Sequence, residues 1–190
     1  MKDTHVYVIE RDNEHYQNLK LYSNPQYSEI LKMSNRENVT VSSSYIGSGY
    51  EDCIDIVRGY NITLRDLTLS SRKNSKARTY ITIKGSCKGV NITDIQLVGD
   101  TRYPWDISLG DWTIYDADPQ RPLMRDVVIR NVNHISGRPV RVLCLYCETP
   151  DVDSSVKLIK VPMFLVKIWF ALKRLLPGRK HILPLEKWNV

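Results

Sequence analysis

The chain has 190 residues, 42% of them hydrophobic, which suits one domain with a core and an appendage. Its net charge of +6 is unevenly spread: basic residues recur between Lys157 and Lys187 with Glu186 as the lone acid, and the remainder is slightly acidic. The basic balance therefore describes the C-terminus and argues against nucleic-acid binding by the whole protein.

The N-terminus carries charges throughout and no apolar run, so no cleaved signal peptide is expected and synthesis in the cytoplasm fits. Cys53, Cys87, Cys144 and Cys147 do not form the dense framework of a small secreted domain. Cys144-Leu-Tyr-Cys147 has C-x-x-C spacing, but it lies in an apolar strand-like run. Buried structural thiols are the default reading, and a zinc or redox role is the alternative. The four histidines are far apart in sequence, so no metal and no cofactor is expected.

Taken in order, His5 to Glu10 reads as an opening strand, Arg11 to Lys20 as loop or short helix, and Gln26 to Met33 as the approach to a second strand. Residues 1–28 thus form an N-terminal cap. From residue 29 to 150 a repeat takes over. Its first strands are Glu29-Ile-Leu-Lys-Met, Cys53-Ile-Asp-Ile-Val, Tyr80-Ile-Thr-Ile-Lys, Asp106-Ile-Ser-Leu and Pro139-Val-Arg-Val-Leu. Its second strands open on Asn38, Asn61, Asn91 and Asp126, at spacings of 23, 30 and 35 residues. Alternation at period two marks half-buried strands, and self-similarity at this length marks a solenoid. The predicted fold class is all-β, a right-handed parallel β-helix of about five turns with a C-terminal α-helix. Ile54 and Ile56 should stack over Ile81 and Ile83, and these over Ile107 and Leu109. The Asn residues should form a corner ladder, each amide bonding the next turn. An antiparallel β-sandwich is the competing fold, but it needs hairpin dipeptides, and neither Asn-Gly nor Asp-Gly occurs.

Residues 151–190 are expected to hold a hydrophobic, basic helix from Val156 to Leu176, stopped by Pro177-Gly178, and a tail. It is too short and too charged to span a bilayer. Three roles stay open for Met163, Phe164, Lys167, Trp169, Phe170, Lys173 and Arg174. They cover the last solenoid turn, they are buried in an oligomer or larger assembly, or they rest on a membrane surface with lysines on anionic lipid.

Tyr50-Glu-Asp-Cys-Ile-Asp-Ile followed by Asn61-Ile-Thr-Leu resembles the pectin-lyase-like right-handed β-helix superfamily, and most of all the polygalacturonase-type glycoside hydrolases. That resemblance implies Asp52 as the acid that protonates a leaving oxygen, with Glu51 beside it. The rest of the family's constellation is missing, since no Asn-Thr-Asp, Gly-His-Gly or Arg-Ile-Lys element occurs on the neighbouring turns. Asp55 and Asp106 are the candidates for a second carboxylate. Tyr80, Trp105, Asp106, Trp112 and Tyr115 combine aromatics with a carboxylate, as a sugar-binding groove requires. The alternative is that Trp105 and Trp112 simply pack a long loop onto the sheet.

A short β-helix without a full catalytic set also resembles the structural and receptor-binding β-helices of phage virions. This implies a non-catalytic tail-fibre, spike or head-decoration protein at a virion or cell-surface assembly. Its partners would be other virion proteins, further copies of itself (as a trimer, for example) and a surface glycan. A polysaccharide-degrading hydrolase or lyase and a peripheral membrane protein are the alternatives.

Overall fold

The computed structural model describes residues 6–72, 76–110, 123–145 and 147–161. They form a parallel β-solenoid of about five turns, built from two seven-stranded arrays. One array stacks β1 (Tyr7–Ile9), β4 (Leu31–Ser34), β6 (Asp52–Val57), β8 (Thr79–Lys84), β10 (Ile107–Leu109), β12 (Val140–Cys144) and β14 (Val156–Lys160). The other stacks β2 (His15–Gln17) and β3 (Lys20–Leu21) on β5 (Glu37–Gly47), then β7 (Tyr60–Ser70), β9 (Lys88–Val98), β11 (Arg125–His134) and β13 (Asp151–Val152). Pairing between these strands is parallel throughout, which rules out the antiparallel sandwich.

Burial of apolar ladders holds the turns together. Leu31, Ile54, Ile81, Ile107 and Val142 lie in register, and so do Met33, Ile56, Ile83 and Leu109. All are shut off from solvent. A fully buried side chain of this size contributes roughly 1.5–3 kcal/mol, so each ladder is a large part of the stability. Opposite them stand Val41, Leu64, Ile92 and Ile129 from the long strands.

Each long strand contains a reversal. In β7, Ile62 and Leu64 face inward, Arg65 and Asp66 both face solvent, and Leu67 and Leu69 face inward again. Asp66 has φ of 52°, a left-handed residue that resets the alternation and makes a further corner. The same conformation recurs at Asn18, Ser43, Asp94 and Asn131, the positions stacked on it in neighbouring turns. Short polar side chains tolerate it because they can bond locally. Here Ser43 Oγ donates to Asp66 Oδ2 at 2.8 Å, and Asn131 Nδ2 to Asp94 Oδ1 at 2.6 Å.

The expected corner ladder exists with one substitution. Asn61 Nδ2 donates to Asn38 Oδ1 at 3.0 Å, and Asn38 Nδ2 to Asn13 Oδ1 at 2.8 Å. All three residues have positive φ. The next position is Gly89 and not Asn91, because Tyr60 pairs with Lys88 and Asn91 falls opposite Thr63. Asp126, with φ of 56°, follows Gly89 in the stack.

Two further expectations change. Arg11 to Lys20 is neither plain loop nor helix, since it holds β2 and begins β3, both paired to β5. Val156–Lys160 is a strand paired to β12 and not the first turn of a helix. Its alternation, with Val156 buried and Lys157 exposed, is satisfied by an open parallel edge that offers hydrogen bonds on the spot. The solenoid therefore runs past residue 150, and among the described residues there is no helix. The remainder of the expected helix, with Met163, Phe164, Lys167, Trp169, Phe170, Lys173 and Arg174, lies outside the described residues, as do Trp112 and Tyr115.

Candidate functional site

The register builds one row along the outside of the first array: Lys32, Asp55, Thr82, Ser108, Leu143 and Ile159. Its character changes from charged to hydroxyl to apolar. At the charged end Lys32 Nζ is 2.7 Å from Glu29 Oε1 and 3.6 Å from Asp55 Oδ2, and Lys84 Nζ is 3.0 Å from Asp55 Oδ1. Ser28 Oγ donates to the other oxygen of Glu29. At the apolar end Leu143 joins Trp105 and Leu145 in a small core of its own, with Tyr103, Ile159 and Val161 against it.

Asp52, the acid implied by the resemblance, lies beside this row at the start of β6. Thr79 Oγ1 donates to its Oδ1 at 2.7 Å, and Arg78 Nη2 to its Oδ2 at 3.0 Å. Thr79 and Thr82 hydroxyls lie 2.9 Å apart and extend the network towards Asp55. Glu51 is half-exposed, 3.8 Å from the same guanidinium. Burial is the main influence on both Asp52 and Asp55 and pushes both above the ordinary carboxylate range. Arg78 and Thr79 oppose it at Asp52. Lys84 opposes it at Asp55, where the Asp52 charge pushes further upward. At Glu29 burial also acts upward, but the hydrogen bonds from Lys32 and Ser28 prevail and its carboxyl sits low.

A raised carboxyl suits a proton donor, but a donor must also reach its substrate. Asp52 is 1% exposed and Asp55 3%. Asp106 is 0% exposed and is clamped by Arg138, with Nη1 to Oδ2 at 2.8 Å and Nη2 to Oδ1 at 2.6 Å. The Arg141 amide donates to Asp106 Oδ2 as well, at 3.0 Å. Asp52 and Asp55 are thus brought together on one strand, and Asp106 is bound into a separate pair. Of the aromatic candidates, Tyr80 and Trp105 lie among the described residues and are likewise packed inside. Tyr80 is enclosed, its hydroxyl donating to the Val98 carbonyl at 3.0 Å and its ring edge-on to His134. Trp105 packs on Tyr103 with ring centroids 4.9 Å apart. Neither ring offers a free face.

An open groove lies elsewhere, over the second half of the long strands. It encloses about 340 Å³ between Asn18, Ser43 and Asp66 on one side and Lys20, Tyr45 and Thr68 on the other. Tyr22, more than half exposed, stands with its ring centroid 5.9 Å from that of Tyr45. Sequence reading missed this site. Tyr22 and Tyr45 are one turn apart in the repeat, and only the pairing of β3 with β5 makes them neighbours. The spacing of 23 residues was the available signal. Among the described residues no cluster of His, Cys, Asp and Glu is arranged to hold a metal ion.

Compared with known proteins, the chain matches no family model, no curated protein and no solved structure. The parallel solenoid therefore rests on the strand register itself. The pectin-lyase-like superfamily stays a resemblance of repeat style.

Proposed function

We propose that this chain is a non-catalytic β-solenoid that forms the rigid body of a larger surface assembly of the phage-virion kind and binds glycans along its side. One observation carries the non-catalytic part: Asp52 and Asp106 are buried and each is neutralised by an arginine. Glycoside hydrolysis needs two carboxyls about 5–9.5 Å apart that flank an accessible scissile bond. These two acids instead join adjacent turns.

The groove supports the binding part. A tyrosine ring packs against the apolar face of a pyranose, while a carboxylate, hydroxyl and amide take its hydroxyls. Tyr45 supplies the ring within the groove, with Tyr22 stacked beside it, and Asp66, Ser43 and Asn18 supply the polar groups. The apolar, basic run from Val161 to Leu176 is the part suited to docking with other copies or other proteins. A membrane surface is the competing acceptor, and co-sedimentation with anionic liposomes tells the two apart.

The test is a broad glycan array with parallel assays for released reducing ends. Binding that falls at least tenfold in Tyr45→Ala, without cleavage, supports the proposal. An array with no bound glycan rejects the binding part. The hydrolase alternative draws on the raised Asp52 carboxyl, and it requires cleavage that Asp52→Asn abolishes.

A further inference from the structure

The groove at Tyr45 is one end of a longer row. The register carries that position from turn to turn as Lys20, Tyr45, Thr68, Gln96 and Asn133. Lys20, Gln96 and Asn133 are exposed, and Tyr45 and Thr68 are half-buried. Paired strands stand about 4.8 Å apart, so the row runs roughly 19 Å along the solenoid axis. The corner residues Ser43, Asp66, Asp94 and Asn131 run beside it, two positions earlier on the same strands.

Little of this polar surface is used by the fold. Among the described residues Lys20 has no ion pair, and the side chains of Thr68 and Gln96 make no hydrogen bond. Asn133 donates its amide to Asn131 Oδ1 at 2.9 Å and keeps its own side-chain oxygen. Asp66 accepts from Ser43 through Oδ2 alone.

We propose that this row is the track of an extended, neutral oligosaccharide that lies parallel to the solenoid axis, with an acidic terminal sugar at Lys20. The proposal rests on the glycan reading above and adds the direction, length and charge of the chain.

The row excludes two other kinds of linear partner. A peptide adding as a strand needs a free edge, but β5, β7 and β9 are paired on both sides at Tyr45, Thr68 and Gln96. A nucleic acid brings a phosphate at every step, and Asp66 and Asp94 would repel it. Sugar hydroxyls both donate and accept, and so do the Thr68 hydroxyl and the Gln96 amide. The Tyr45 ring takes the apolar face of one sugar. Lys20 only donates and carries a full charge, which matches a carboxylate. It lies on β3, which pairs with β5 alone, so the charged group falls at the end of the row.

The experiment measures binding of the full-length protein to size-fractionated glucose, galactose, mannose and N-acetylglucosamine chains of two to six sugars. Each chain is used with and without a terminal glucuronic or sialic acid. Wild type should bind longer chains more tightly than disaccharides and should prefer the acid-capped forms. Gln96→Ala and Thr68→Val should each weaken the longest chains about threefold to tenfold, the value of one or two lost hydrogen bonds, and leave disaccharides unchanged. Lys20→Gln should abolish the preference for the acid cap. Melting temperatures equal to wild type show that these exposed or half-buried substitutions leave the fold intact. Binding that Tyr45→Ala weakens, but that ignores chain length, Gln96 and Thr68, overturns the track and leaves the glycan reading standing. An absence of binding to every chain overturns both.

Discussion

Gly89 sits directly over Asn61: a Cβ on Gly89 would lie 2.6 Å from the Asn61 side-chain oxygen, and Gly89 has φ of +68°. The ladder that begins with three asparagines thus changes to a glycine because both the space and the backbone demand it. Gly89→Ala should destabilise the fold by about 1–3 kcal/mol, from the left-handed backbone and the collision together. Asn38→Ala, which loses both ladder bonds at an exposed left-handed position, should cost about 1 kcal/mol. Urea unfolding of both variants measures this, and Gly89→Ala should be the worse.

The Asp106–Arg138 clamp joins β10 to the approach of β12. Removing one partner leaves the other charge buried without its counter-ion, which costs on the order of 3–5 kcal/mol. Arg138→Met should therefore be strongly destabilising. Asp106→Asn should cost less, because the freed arginine is partly exposed and can turn to water. Thermal unfolding of the two variants checks the order.

The buried acids make an unusual contribution to the pH dependence. Asp52 and Asp55 have folded-state pKa values above their unfolded ones, so the folded state binds the extra protons. Their contribution to stability therefore falls as pH rises from the unfolded carboxylate range through the raised folded values. Glu29 acts oppositely, because its stabilisation is lost as pH falls through its lowered value. Asp52→Asn keeps an acceptor for Thr79 and Arg78 without a buried charge. Its stability relative to wild type should rise from pH 4 to pH 7 in urea titrations.

Val156–Lys160 should matter to the solenoid. A chain ending at Ser155 uncovers Val140 and Val142, the partners of Val156 and Leu158. It should be less stable than a chain ending at Val161 by about 2 kcal/mol or more, the value of burying one or two such side chains. Equal melting temperatures would mean that β14 adds nothing.

The first strands of each turn were legible because Ile54, Ile56, Ile81 and Ile83 alternate and are all buried. The corner ladder was legible at Asn38 and Asn61 but misplaced at Asn91. The repeated Asn-Ile-Thr suggested equivalence, whereas register is set by which apolar residues face the core, and that puts Ile62 beside Val90. The second corner was also written in the chain, as two successive polar residues between apolar ones: Leu64-Arg65-Asp66-Leu67 and Ile92-Thr93-Asp94-Ile95. For Asp52 the motif gave the residue but not its environment. Whether a carboxylate is open or buried against Arg78 depends on the neighbouring turn, and sequence spacing alone does not fix that contact.

The most direct test of the central claim is an assay for new reducing ends on acidic and neutral polysaccharides, run on wild type and Asp52→Asn beside glycan binding by wild type and Tyr45→Ala. The account predicts no cleavage by either of the first two proteins, and binding that Tyr45→Ala weakens at least tenfold. Cleavage by wild type that disappears in Asp52→Asn would contradict it.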